Sequence, residues 1–458
     1  MFKLSKLVRL FAYLCALLIG LGLCFLAIVT VANFSDADLR PEVAAMLAAQ
    51  STPLMASENA YMNLVALAAP ADKESDEWAK HWMNSAQKVT DQKTFEAHNA
   101  TFSSNPGQKQ TPYCRPGEKL CLAEALMSPE SRSALAKLLS AESELIRRYA
   151  QFSVRPAFSE PAFVASEWAP TPPVYGVMRY AQSLLFANVA FMAEDGDLPA
   201  ALALLERDAR GYRQMLAGAR SLHVKLMATR ALGDDLLVAS ELTHRYREGM
   251  RALAPRLEAM AEGLTPDQRA LRALGETETR SASGFFATVK QNPQRAGALI
   301  NGGELPLITA RLFGLAYQPN ATINLYYELM QPMLDIDAKG APGIALASAE
   351  QQARLDKLAG LSLINPAGKQ LAQRALPRFD QTATLIFDLE GLTRLLRLQA
   401  KALSYPTAAE AFPSLLTASG ETLTDPYSGQ PAIWDATKGR MSFVGRSSAN
   451  SPRLTIQP

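Results

Sequence analysis

Four histidines, a few closely spaced acids and one pair of cysteines are the side chains of this 458-residue chain best suited to chemistry. The histidines are His81, His98, His223 and His244. A zinc hydrolase of the H-E-x-x-H kind needs two histidines four apart on one helix face, with a glutamate between them. No pair here has that spacing, so the four read as surface or satisfied core histidines. No phosphate-binding loop, no G-x-S-x-G elbow and no dinucleotide fingerprint occurs in a strand-turn-helix setting. Glu276 with Glu278, and Tyr326-Tyr327-Glu328, are the nearest approach to acid/base groups. Residues two apart on a helix do not share a face, so the two glutamates read as solvated. Asn365-Pro366-Ala367-Gly368-Lys369 could set Lys369 and free backbone N–H groups around an anion. The same residues also make an ordinary helix-entry turn, which is the plainer reading. No catalytic, cofactor-binding or metal-ligating residue is assigned, and no cofactor is expected.

The cysteines say more. Cys15 and Cys24 lie in an apolar run, leaving Cys114 and Cys121 in YCRPGEKLC. In an oxidising compartment that pair closes a short loop, with Pro116 and Gly117 supplying the turn. Redox chemistry would want C-x-x-C spacing and zinc would want further ligands, so a disulfide that pins a loop is expected.

The compartment follows from the elements that carry these residues. From Leu10 to Ala32 no residue is charged, long enough to cross a bilayer core of about 20 residues. Lys3, Lys6 and Arg9 precede the run, and Asp36 and Asp38 follow it, so residues 1–9 are expected in the cytoplasm and the bulk outside. Thr30 and Ala32 would suit signal cleavage before Asn33, but a cleaved signal has an apolar region of only about 7 to 15 residues. A retained anchor is therefore expected over residues 10–32. Ala12, Ala16, Gly20 and Cys24 recur every fourth residue, a small-residue stripe that would let two spans associate as a homodimer. Once Lys3, Lys6 and Arg9 are set aside, basic and acidic residues nearly balance, leaving no footprint for nucleic acid or a polybasic lipid surface.

Residues 33–405 read as an extracytoplasmic helical domain, with apolar residues returning at three and four spacing. Helices are expected from Val43 to Leu67, from Ser128-Pro129-Glu130 to about Phe152, and from Gly176 to Ala193. Others are expected from Pro199 to about Leu216, onward from Ala217 to Glu258, and from the capping box Thr265-Pro266-Asp267-Gln268. Leu305–Tyr317, Asn320–Leu334, Ser348–Leu361 and Phe379–Leu403 complete the series. Glu194-Asp195-Gly196-Asp197 should turn a helical hairpin. GDLPAALALLERDARGYRQML resembles a tetratricopeptide-type helix pair over about 35 residues, without that repeat's Trp-Leu-Gly-Tyr pattern. Five prolines between Arg155 and Pro173, with Phe158, Phe163 and Trp168, forbid a continuous helix and predict an extended strap packed across the helices. The expected fold is mainly α: one transmembrane helix, an irregular helical bundle or solenoid-like body, and a small C-terminal β-hairpin.

That hairpin lies in residues 406–458, where Asp425-Pro426-Tyr427-Ser428-Gly429-Gln430-Pro431 is turn chemistry and Ala432–Asp435 and Arg440–Val444 are short strand-like runs. Asp425, Pro426, Gly429, Pro431, Trp434, Ser442 and Gly445 form a pattern that resembles the C-terminal end of type II secretion major pseudopilins. A similar tail occurs on uncharacterised bacterial envelope proteins. The resemblance covers roughly 25 residues. Pseudopilins begin with a Gly-Phe-x-x-x-Glu processing site and carry calcium-binding aspartates after the last glycine. This chain opens MFKLSKLVRLF, and Arg446-Ser447-Ser448 follow Gly445. The resemblance thus implies the hairpin, without the filament role or the calcium. The expectation is a single-pass protein of the bacterial inner membrane with its bulk in the periplasm, a module for interaction or assembly with another envelope protein. The alternative is an exported helical hydrolase or lyase acting on wall or lipid material; a small-molecule or lipid binder would require an enclosed apolar cavity.

Overall fold

A computed structural model describes residues 2–48, 58–70, 72–102, 114–116, 120–125, 128–161, 170, 172, 174–358, 360, 362–405, 412, 415–416, 423–444 and 455–456. Helix dominates, joined by one small antiparallel sheet. The first helix, α1 (Phe2–Ala32), is long and apolar enough to cross a membrane. Its leucines stay outside the body, with Leu17 59% and Leu18 60% exposed.

The body starts with α2 (Pro41–Ala48), α3 (Ala60–Ala66), α4 (Ser75–Ala86) and α5 (Gln92–Phe102). Then come α6 (Cys121–Ala125), α7 (Pro129–Ala141) and α8 (Ser143–Phe152). Ser128 caps α7 by accepting from Ser131 N at 3.1 Å, with Pro129 in the first turn. The single helix expected from here to Phe152 is broken at Glu142, whose backbone leaves the helical region at φ −97°, ψ 15°. The break lets α8 lie against α3 and α9 together.

The centre is α9 (Tyr175–Glu194), α10 (Leu198–Gly218) and α11 (Leu222–Arg245). Gly196, at φ 85°, ends α9, and Asp197 accepts from Ala200 N at 3.1 Å to start α10. The continuous run expected from Ala217 turns instead at Ala219, and Ser221 caps α11. There the strap crosses: Glu160 N donates to Gly218 O at 3.2 Å. A Cβ on Gly218 would stand 1.9 Å from Phe158 O, so only glycine permits the crossing. Phe158 is buried against Tyr61 and Phe152. Phe163 and Trp168 lie outside the described residues.

After short turns come α12 (Arg272–Gln291), α13 (Leu307–Leu315), α14 (Pro319–Leu334), α15 (Gly343–Asp356), α16 (Pro366–Ala375) and α17 (Phe379–Ala402). The capping box at Thr265 and Gln268 forms with both bonds but opens a single turn, Pro266–Arg269. Helix α17 lies along α11, while α12, α15 and α16 pack around α14. One apolar core joins the two groups and reaches into the tail at Phe412, Met441 and Ile456. The tail strands β1 (Ile433–Asp435), β2 (Arg440–Ser442) and β3 (Thr455–Ile456) form a sheet in that order. The expected hairpin is present as β1 and β2, with Trp434 opposite Met441. The third strand was not expected.

Candidate functional site

Between α8, α9, α10 and α11 lies a closed polar cluster. Asp208 and Asp235, both buried, face each other across α10 and α11. Tyr149 Oη donates to Asp208, 2.8 Å from Oδ1, and lies 2.7 Å from Tyr212 Oη. Gln182 Nε2 donates to Asp235 Oδ1 and to Ala231 O, each at 2.9 Å. Asp235 Oδ2 has no donor of its own, which is what a protonated oxygen turned toward Asp208 requires. Burial, and then the Asp208 charge, push the Asp235 carboxyl well above the usual range. Burial lifts Asp208 to about 7 against the hydrogen bonds, first that of Tyr149, that lower it. The pair thus shares a proton in a dry interior, an arrangement that fixes helix register and offers no approach to a substrate.

A second acid group lies where the strap meets α11. The Glu160 carboxylate accepts from Arg220 N and Ser221 N at 2.7 Å each and from Ser221 Oγ at 2.7 Å, filling the free N–H groups before α11. Burial raises its carboxyl in spite of these donors. Glu278, on α12, is raised by burial and by the charge of Glu160. It is therefore not the solvated residue expected of it; α14 packs along α12. Tyr326, edge-on to Phe286 at 5.8 Å, is buried nearby, while Glu328 pairs with Arg40 at 2.6 Å. His98 is a satisfied core histidine, 2.9 Å from Ser85 Oγ. His223 and His244 are both exposed.

The most connected polar constellation surrounds the exit of α1. Asn33 Nδ2 donates to Leu363 O at 2.7 Å, and Asn33 Oδ1 accepts from Asn365 N at 2.6 Å. Asn365 takes a left-handed conformation, φ 48°, tolerated by asparagine. Its Oδ1 accepts from Gln318 N at 3.0 Å and Gly368 N at 3.2 Å, and its Nδ2 donates to Thr322 Oγ1 at 3.0 Å. Gln318 Nε2 donates to Ser35 O at 2.7 Å. Asp36 caps α14, accepting from Asn320 N at 2.8 Å and Ala321 N at 3.2 Å. Asn324 then holds the linker by its Arg40 N and Asp38 O contacts, at 3.0 and 2.8 Å. The turn at Asn365 is accordingly a seat for the chain leaving α1. Lys369 Nζ donates to Ser362 Oγ at 2.6 Å, and the N–H groups of residues 367–369 are taken by protein oxygens.

Comparison with protein-family models, with curated proteins and with solved structures finds no match for this chain.

Cys114 and Cys121 form the expected disulfide, with Cα atoms 5.5 Å apart. Glu241 of α11 accepts from Leu122 N and Ala123 N at 3.0 Å each, so Glu241 pins α6 to α11 while the bridge ties Cys114 to the start of α6. Ala12, Ala16, Gly20 and Cys24 all lie exposed on α1, and nothing stands within 4 Å of a Cβ built on Gly20. In the tail, Asp425 Oδ1 accepts from Tyr427 N at 2.9 Å, and Gly429, at φ 68°, closes the turn onto Asp425 O at 2.8 Å. Pro426 lies inside that turn and Pro431 leads into β1. Trp434 packs on Phe412 at 4.8 Å, and Ser442 pairs with Ile433. Gly445 lies outside the described residues. Tyr427 Oη bonds Asp388 Oδ1 at 2.7 Å, and Arg394 donates to Thr424 O at 2.8 Å, so the motif docks the sheet on α17.

Two surface clefts are open to solvent. One, about 460 Å³, is lined by Arg40, Glu328, Arg354 and Lys357 among others. The other, about 650 Å³, is lined by Arg251, Glu258, Lys401 and Tyr405 among others. The shifted carboxyls Asp208, Asp235, Glu160 and Glu278 line neither.

Proposed function

We propose that the chain is a membrane-mounted assembly component of a bacterial envelope. In this reading α1 crosses the inner membrane with its N-terminus in the cytoplasm, and the helical body meets another envelope protein in the periplasm. The clamp at Asn33, Asp36 and Asn365 carries the reading. A chain that only needs a leash uses a flexible linker, whereas here the residues after α1 are bonded residue by residue to α14 and α16. Such a mount presents a fixed surface at a fixed height, which suits a part of an assembly. Lys3, Lys6 and Arg9 before the span, a disulfide outside it and the pseudopilin-like tail support the same placement.

Crosslinking in intact cells tests this. The expected product is a discrete adduct with one other envelope protein, weakened by Asp36→Ala; adducts only with itself, or none, would refute the proposal. Self-association through the α1 stripe belongs to the same reading, and mild oxidation of membranes should then give a Cys24-linked dimer.

The second reading, an exported hydrolase or lyase, has one observation in its favour: Glu278 with its raised carboxyl beside Glu160. Glu278→Gln would then abolish turnover of wall or lipid substrates while leaving the crosslinked adduct intact.

A further inference from the structure

Helix α13, LITARLFGL, is apolar on the side a surface helix keeps polar. Ala310 points into the core, and Phe313 packs on it. Outward stand Leu307 at 56%, Ile308 at 76%, Leu312 at 45% and Leu315 at 41% exposure. Ile308, Leu312 and Leu315 follow the i, i+4, i+7 spacing of one face. Single exposed leucines are ordinary, but a continuous apolar stripe marks a contact.

Its place in the fold says with what. Ala316 O, at the end of α13, accepts from Ala367 N at 3.3 Å, and Gln318 two residues on donates to Ser35 O. Leu363 and Ile364, 46% and 60% exposed, adjoin the bond from Leu363 O to Asn33. Phe34, at the exit itself, is 90% exposed. The apolar surface of α1 is thus continued onto the body by Phe34, Leu363, Ile364 and the end of α13.

We propose that this surface rests in the outer interfacial layer of the bilayer that α1 enters, so that the body is seated on the membrane at two places. The proposal rests on α1 being a span. Nine residues make a helix of about 13 Å, too short to cross but suited to lying in the interface, where such helices bury their apolar side about 5–10 Å deep. Arg311, exposed on the outer side of α13, can extend its head toward lipid phosphates while its stem lies with the leucines.

The test places photoreactive benzoylphenylalanine singly at Leu18, Ile308, Ile364 and Leu120 of the full chain in phosphatidylethanolamine and phosphatidylglycerol vesicles. Leu120, 50% exposed at the disulfide loop, directly precedes α6, which packs on α9 and α11, whereas the exit of α1 is bonded to α14. The expected result is a phospholipid mass shift at positions 18, 308 and 364, and none at 120. A shift at 18 without one at 308 and 364 overturns the seating and leaves the span standing. No shift at 18 overturns both. Protein adducts in place of lipid at 308 and 364 mean that a second copy or another protein covers the face, and a shift at 120 means unselective lipid contact; either refutes the proposal.

Discussion

At Asp208 and Asp235 two carboxyl groups meet where burial shields their charge from solvent, so the native state holds a proton that the unfolded chain releases. Well below pH 4, the ordinary carboxylate range, both states are protonated and the contribution of the pair is whole. Between there and the raised native value, about 7 for Asp208, the unfolded chain binds fewer protons, and stability falls as pH rises. Asp235→Asn keeps an acceptor for Gln182 and supplies a permanent donor to Asp208. Denaturant unfolding at pH 5 and pH 8 should therefore show a smaller loss for the variant. At pH 8 the variant should exceed the wild type by at least ~1 kcal/mol, what a tenfold change in proton affinity supplies. Parallel pH profiles would show that the pair ionises freely. Neither acid looked special in the sequence, since 27 residues and a helix turn separate them. A signal was nonetheless present: Asp208 falls between Leu205 and Tyr212 on the apolar stripe of α10, and Asp235 between Leu232 and Ala239 on that of α11. An acid on a buried stripe must find a partner.

Elements whose ends are set by local chemistry were legible, as at Ser128-Pro129, at Gly196-Asp197 and at the Asp425–Gly429 turn. The breaks at Glu142 and at Ala219 were not, because Leu and Ala on both sides continue the helical period and the turn is imposed by what α8 and α11 pack against. Strand β3 is two residues long, and only its pairing with Met441 and Ser442 defines it. Cys114 and Cys121 were legible as a bridge because spacing and turn residues suffice. Their loop is short, so Cys114→Ser with Cys121→Ser should lower unfolding stability by about 2–3 kcal/mol. Thermal unfolding with and without reductant measures it, and a wild type indifferent to reductant would show that Glu241 alone holds α6.

For the molecule as a whole, the linker clamp decides whether the body and α1 move together. Asn33→Ala with Asp36→Ala removes a side chain that grips the Leu363–Asn365 turn and a cap on α14, each cap being worth ~1 kcal/mol. Protease added to the full chain in detergent should cut within residues 34–40 faster in the double variant, while the body melts within a few degrees of wild type. Equal cutting rates would mean that the linker is free in both. Asn33 and the carbonyl it grips are 330 residues apart in the chain. At the usual pace of synthesis, 5 to 20 residues per second, the ribosome needs about 15 to 65 s to go from one to the other. Throughout that interval the residues that leave α1 have no seat, because the Leu363 carbonyl and the Asn365 N–H that hold Asn33 do not yet exist. The mount is consequently among the last joints to close, and it closes only on a body whose α14 and α16 have already come together.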